Sequence, residues 1–188
     1  MTERFEIRVC GDGGQGVVLA SFIMGQAASV FGHKSAILIQ DYGPEARGGT
    51  LKVDVAISDE RVLYPKIYNP SVTIVMSQAA YDKLCDGNYK DTLLISNEHL
   101  VKIDASHWKK TLAIPATRMA KELGRVSVAN VVMLGFFTAV TGIISRDEMQ
   151  QSVQKSVPKG TAEFNMQAFG CGYAYALDKP EPARNKVK

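Results

Sequence analysis

Cysteine is scarce: Cys10, Cys85 and Cys171 are the only three in 188 residues, and no C-x-x-C occurs. An iron–sulfur cluster usually needs four thiolates, so this chain is not expected to hold one alone. His33, His99 and His107 stand at no metal-ligand spacing; each reads as an ordinary surface or hydrogen-bonded residue, and no metal site is expected. Long apolar runs are missing too. The longest, Val131 to Ile144, is too short to span a bilayer and is broken by Gly135, Thr138, Thr141 and Gly142. Glu3, Arg4, Glu6, Arg8 and Asp12 interrupt the opening residues, so no charged-then-apolar leader is read there. The expectation is a cytoplasmic chain without a membrane segment, in which a disulfide framework has no place. Net charge is only +3, and no basic stripe with interleaved aromatics appears, which argues against nucleic acid as the main partner.

Apolar residues make up 46% of the chain and charged residues 22%, the balance of one ordinary globular domain. That domain is expected over 1–178, with 179–188, which contains Pro180 and Pro182, as a flexible tail. Phe5, Ile7 and Val9 alternate with Glu6, Arg8 and Cys10, a strand period that ends in a glycine cluster. Apolar residues at helical spacing follow from Val17 to Phe31, with Gly32 as the stop. The run 36–40 (AILIQ) reads as a buried parallel strand, making the first forty residues a βαβ unit. LKVDVAI (51–57) alternates as a strand and is expected to form a hairpin with 61–64. Strands are also expected at 72–76, 92–95 and 111–114, and helices at 78–84 and 116–123, the latter stopped by Gly124. The remainder reads as three helices, 128–141, 145–156 and 160–177, the second opened by a capping box of Ser145 and Glu148. Helix 128–141 is apolar on almost every face, so it belongs in a core or between subunits; Asn130 and Asn165 are read as backbone caps or cross-links. The sum is a three-layer α/β/α domain with a mixed, mostly parallel Rossmann-like sheet and a helical C-terminal part.

Two cofactor signatures overlap in VCGDGGQGVV (9–18). Gly11-Asp12-Gly13-Gly14-Gln15-Gly16 fits the G-x-G-x-x-G dinucleotide pattern, and Asp41 ends the second strand about where an acidic ribose ligand would sit. Gly11-Asp12-Gly13 also opens like a thiamine diphosphate motif, but that motif needs an asparagine pair a loop and a helix later. None lies between residues 17 and 68. Glycines here also serve simply to pack a helix onto a sheet, the role favoured for Gly16. Gly13, Gly14 and Gln15 are read as a ligand or partner contact, because a helix N-terminus offers free N–H donors to an anion such as a phosphate.

The second motif, DYGPEARGGT (41–50), is more specific. Gly43-Pro44 forces a turn, Gly48-Gly49 frees the backbone before the next strand, and Glu45 and Arg47 set opposite charges between them. A solvated loop with a local ion pair is the plain alternative. Together, GDGGQGVVLAS and YGPEARGG resemble the gamma subunit of 2-oxoacid:ferredoxin (or acceptor) oxidoreductases. The resemblance continues through VAISDERVLYPKI (55–67), MSQAAYDKL (76–84), VANVVMLGFF (128–137) and FNMQAFGCGY (164–173). The form of residues 42–49 is most like the 2-oxoglutarate branch; pyruvate, branched-chain and indolepyruvate enzymes are the alternatives within the family. A stand-alone dinucleotide- or CoA-binding module is the alternative outside it.

The resemblance implies a gamma-type domain over 1–178 in a hetero-oligomer with alpha, beta and delta-type subunits. It implies oxidative decarboxylation of 2-oxoglutarate with coenzyme A to succinyl-CoA and CO2, with electrons passing to ferredoxin or flavodoxin. Thiamine diphosphate, Mg and iron–sulfur clusters would be carried by the partners and none by this chain. The site residues it suggests, for coenzyme A, a phosphate or a partner subunit, are Gly13, Gly14, Gln15, Tyr42, Glu45, Arg47, Gly48 and Gly49.

Overall fold

The computed structural model describes residues 4–43, 48–85 and 89–179. A six-stranded sheet is built from β1 (Arg4–Asp12), β2 (Ser35–Tyr42), β3 (Thr50–Ser58), β4 (Val72–Val75), β5 (Tyr89–Asn97) and β6 (Trp108–Ile114), in the order β2-β3-β1-β4-β5-β6. β3 is antiparallel to both β1 and β2, while β1, β4, β5 and β6 pair in parallel. Only β3 runs against the others, so the sheet is mixed and mostly parallel.

Two expectations about the first half need correction. Residues 36–40 belong to β2, but this strand lies at the sheet edge, half-buried and antiparallel to β3, rather than buried and parallel beside β1. β3 inserts between β1 and β2 and splits the βαβ unit. The hairpin of 51–57 with 61–64 is absent for the same reason. Both edges of β3 are already taken by β1 and β2, so 61–67 has no strand to pair with and runs as an irregular segment.

That segment is nevertheless tied down. Arg4 donates to the carbonyls of Tyr64 and Lys66 at 2.8 and 3.2 Å, Val62 N–H donates to Ser35 Oγ, and Thr92 Oγ1 donates to the Pro70 carbonyl. Below it, Arg8 grips Asp54 through two hydrogen bonds of 2.8 and 2.9 Å and reaches the Ile67 carbonyl. Both side chains are nearly buried, and the carboxylate stabilises the guanidinium, raising its pKa further.

One face of the sheet carries α1 (Val17–Gln26), α3 (Ala116–Glu122), α4 (Ala129–Thr141), α5 (Arg146–Ser156) and α6 (Ala162–Leu177) around the main core. The other face is covered by α2 (Gln78–Leu84) over Cys10, Val75, Leu94 and Trp108, and by Val62 and Ile67 over Ala56. α1 passes into a π-helical turn over Ala27–Phe31 before Gly32 ends it. Gly32 is right-handed there, and it is needed for room: a Cβ would stand 2.9 Å from the Ala28 carbonyl oxygen. α5 starts as the sequence indicates. Glu148 N–H donates to Ser145 Oγ, and Ser145 N–H donates back to Glu148 Oε2. α4 is buried almost throughout within this one chain, packed lengthwise on α6, so its all-round apolar character is explained by the core.

Candidate functional site

The two glycine motifs, far apart in sequence, meet at one end of the sheet. Gly43 N–H donates to the Thr50 carbonyl at 3.0 Å, closing the second motif on itself, and Gly13 N–H donates to the Gly49 carbonyl at 3.0 Å, joining the first motif to it. A Cβ on Gly13 would sit 3.2 Å from Gly48 Cα, so the loops touch backbone to backbone. Gly48 itself has φ +71, the left-handed region that glycine enters without strain.

Gln15 does not reach outward. Its Oε1 accepts from Asp12 N–H at 2.8 Å and its Nε2 donates to the Met76 carbonyl at 3.2 Å, so both ends of the amide brace the loop against the ends of β1 and β4. Gly11 makes this possible, because a Cβ there would collide with Gln15 Oε1 and Val17 Cγ2, each at 2.7 Å. Gly16 has φ +76 and its Cβ position is filled by the Asn130 amide. Asn130, 2% exposed, donates through Nδ2 to the Gly16 carbonyl at 3.2 Å, cross-linking α4 to the entry of α1. The sequence marked Asn130 as a cap or cross-link but gave no hint of its partner, because the contact spans 114 positions. Asn165 is used locally, Nδ2 donating to the Thr161 carbonyl.

Beside the loop is a cleft of about 600 Å³ bounded by Asp12, Gly13, Gly14, Gly16, Gln40 and Tyr42 at one end and by Val17, Val18, Leu19, Phe22 and Leu51 along its length. Gly13 and Gly14 are exposed there. No side chain caps α1 and no acidic residue occupies its first turn, so the N–H donors of that turn have no intrahelical partner. Tyr42 stands 63% exposed with its hydroxyl donating to Gln40 Oε1. Of the site residues read from the sequence, Gly13, Gly14, Tyr42, Gly48 and Gly49 therefore converge, with Gln15 braced beneath them. Glu45 and Arg47 lie outside the described residues.

Asp41 does not stand where a dinucleotide ribose would need it. With β3 interposed, β2 is two strands from β1, about 10 Å, and Asp41 pairs with Lys52 at 3.2 Å. Among the described residues no group of three His, Cys, Asp or Glu side chains is placed to hold a metal ion. Cys10 is buried on the α2 face of the sheet; the neighbouring Cys85 side chain and burial push its thiol well above the ordinary range, so it is no thiolate near neutral pH.

The family model for pyruvate ferredoxin/flavodoxin oxidoreductase matches residues 6–175. The chain is 43% identical over 187 residues to a 2-oxoglutarate synthase subunit, KorC, of Methanocaldococcus jannaschii, covering 93% of this chain and 95% of that one. It is 32% identical over 142 residues to a ketoisovalerate oxidoreductase subunit, VorA, of Methanothermobacter thermautotrophicus, where the match takes in 76% of this chain but 29% of that subunit. Among solved structures, the gamma subunit of a keto/oxoacid ferredoxin oxidoreductase from Geobacter sulfurreducens superposes with a TM-score of 0.82 at 36% identity, covering 93% of this chain and 99% of the other. Sequence over nearly the whole length and fold thus agree with the two joined glycine motifs: the chain belongs to the pyruvate ferredoxin/flavodoxin oxidoreductase family, as a gamma-type subunit of a 2-oxoacid:ferredoxin oxidoreductase.

Proposed function

We propose that this chain is the gamma subunit of a 2-oxoglutarate:ferredoxin or flavodoxin oxidoreductase, working with alpha, beta and delta-type partners to form succinyl-CoA and CO2 from 2-oxoglutarate and coenzyme A. The observation that carries the substrate is the 43% identity to KorC over nearly the full length, against 32% to a pyruvate synthase subunit, PorC, of the same organism. The form of residues 42–49 supports the same branch.

The residues present do not fit thiamine diphosphate or a cluster. Gly11-Asp12-Gly13 is followed by no asparagine before residue 69, and the Gln15 amide is folded back into the turn, accepting from Asp12 N–H. Cys10 lies buried beneath α2, and Cys171 is in α6 on the other side of the sheet. Decarboxylation and electron transfer are accordingly assigned to the partners. This chain's share is to hold an anion: the exposed Gly14 backbone and the N–H donors at the start of α1, with Tyr42 and Gly48–Gly49 beside them, form one rim suited to a coenzyme A phosphate. Arg47, five positions after Tyr42 in the sequence, brings a planar fork suited to gripping a phosphate or carboxylate at two points.

Two measurements test this reading. The complex, purified with the chains encoded beside this one, is expected to show a higher kcat/KM with 2-oxoglutarate than with pyruvate; the reverse order would remove the substrate assignment. Arg47→Ala is expected to raise the KM for coenzyme A or weaken assembly while the chain alone loses about 1 kcal/mol or less. Lysine should rescue poorly, since a point charge does not reproduce the fork. Unchanged assembly and coenzyme A dependence would return Arg47 to a surface ion pair.

A further inference from the structure

A run without charge covers residues 13–32, from the end of β1 to the end of the π-helical turn. A helix at a solvent-facing position normally sets a polar stripe against its apolar one, and α1 has no such stripe. Its inner side is buried against the sheet through Val17, Ala20, Ile23 and Met24. Its outer side presents Val18, Leu19 and Phe22, and Val30 follows about two turns after Phe22; Phe22 is 51% and Val30 53% exposed. The gap between this helix and β2 is a groove with Phe22 at its middle. One part, of about 600 Å³, reaches the glycine rim, and a second, of about 250 Å³, continues past Val30 to Leu38.

The strand beside the groove is equally unguarded. β2 pairs with β3 on one side, and its other edge has no strand among the described residues. Edge strands are usually blunted by lysine, proline or a bulge. Residues 35–40 (SAILIQ) contain none of these, the strand's one charge, Asp41, comes after them and is paired with Lys52, and the register with β3 is unbroken. An uncharged helix face, an unblocked strand edge and a groove between them form one continuous apolar surface, larger in kind than the scattered hydrophobics of a free monomer.

We propose that the α1–β2 groove is where this chain docks on the catalytic partner subunit, and that the occupant is an uncharged apolar segment of that subunit. This rests on the reading of the chain as a subunit. The partner is favoured over a second copy by the VorA comparison, in which a domain of this family occupies 29% of a longer chain. There the domain is joined permanently to a larger body, and when the two are separate chains a surface must replace the covalent link. The groove also opens onto the glycine rim, so a partner seated in it brings its own residues beside the anion-holding loops.

The test uses the co-expressed complex. Phe22→Asp with Val30→Asp should leave the isolated chain with an unchanged melting curve, and should lower recovery of the partner on the tagged chain at least tenfold. Leu63→Asp, at an 83% exposed position on the irregular segment 59–71, should leave recovery unchanged. As a measurement independent of variant folding, p-benzoylphenylalanine in place of Phe22 should cross-link to the thiamine-carrying chain in the purified complex, as read by mass spectrometry. Normal assembly of the double variant, cross-linking to a second copy of this chain, or no cross-link at all would overturn the proposal. If the wild-type chain recovers no partner, the subunit reading itself fails, a result distinct from the others.

Discussion

Gly172→Ala is expected to lower the melting temperature of the chain by roughly 10 °C, while Gly170→Ala, two residues away on the same helix, should leave it unchanged or raise it slightly. The difference lies in what each Cβ would meet. At Gly172 it would run into the Val132 carbonyl of α4, with the carbonyl carbon at 2.9 Å and Phe136 N at 3.1 Å. Gly135 of α4 makes the reciprocal approach to the Phe169 carbonyl and to Tyr173 N at 2.9 Å. The two helices therefore touch backbone to backbone at two points, and no side-chain rotation relieves an added methyl. They can only separate, opening the contact that buries Phe136, Phe137 and Phe169. Overpacking of this kind costs about 3 kcal/mol, and for a domain of this size each 1 kcal/mol moves the melting point by about 2–4 °C. Gly170 has nothing within 4 Å of its Cβ position, so alanine there gains about 0.5–1 kcal/mol in helix propensity. Thermal unfolding of the three proteins followed by circular dichroism decides it. Equal melting temperatures would mean that the helices part without cost.

The helical half was legible because its signals are local. Periodicity placed α4, α5 and α6 within a residue or two, and Ser145 with Glu148 marked the start of α5 through a contact three residues long. Glycine in the middle of two apolar helices was visible, but that Gly135 and Gly172 face each other's helix backbones depends on a crossing no periodicity reports. The strand half was less legible. An apolar run such as 36–40 looks the same in a buried parallel strand as in an edge strand with a helix on one face, and only the order of strands distinguishes them. At the site, two glycine motifs were recognisable as special, and their convergence was not, since a hydrogen bond from Gly13 to Gly49 leaves no mark on either motif. From sequence Gln15 reads as a ligand or partner contact because a polar residue among glycines has the same appearance whether it points out or folds back, as it does here.

The buried ion pair could have been found. β1 and β3 each alternate an apolar face with a polar one, and the polar positions carry Arg8 on one strand and Asp54 on the other, direct neighbours in the antiparallel register. Asp54→Ala is expected to destabilise the chain by about 3–5 kcal/mol, the cost of leaving a buried charge without its partner. The guanidinium, held charged at every accessible pH, would keep one weak bond to the Ile67 carbonyl at 3.3 Å and no carboxylate. Removing both members with apolar residues of similar volume, Arg8→Met with Asp54→Leu, should recover most of that loss, because the pair's own attraction is largely offset by the cost of taking two ions out of water. The double variant should still differ in one respect. Arg8 also ties the backbone of segment 59–71 to the sheet, so trypsin should cut at Arg61 or Lys66 faster than in the wild type even when global stability is restored. Denaturant unfolding ranks the three proteins, and limited proteolysis reads the segment. If the double variant is as unstable as Asp54→Ala, the damage comes from lost packing or hydrogen bonds and the isolated-charge account is wrong. If it is stable and its segment is protected, Arg4 and Thr92 hold that segment without Arg8.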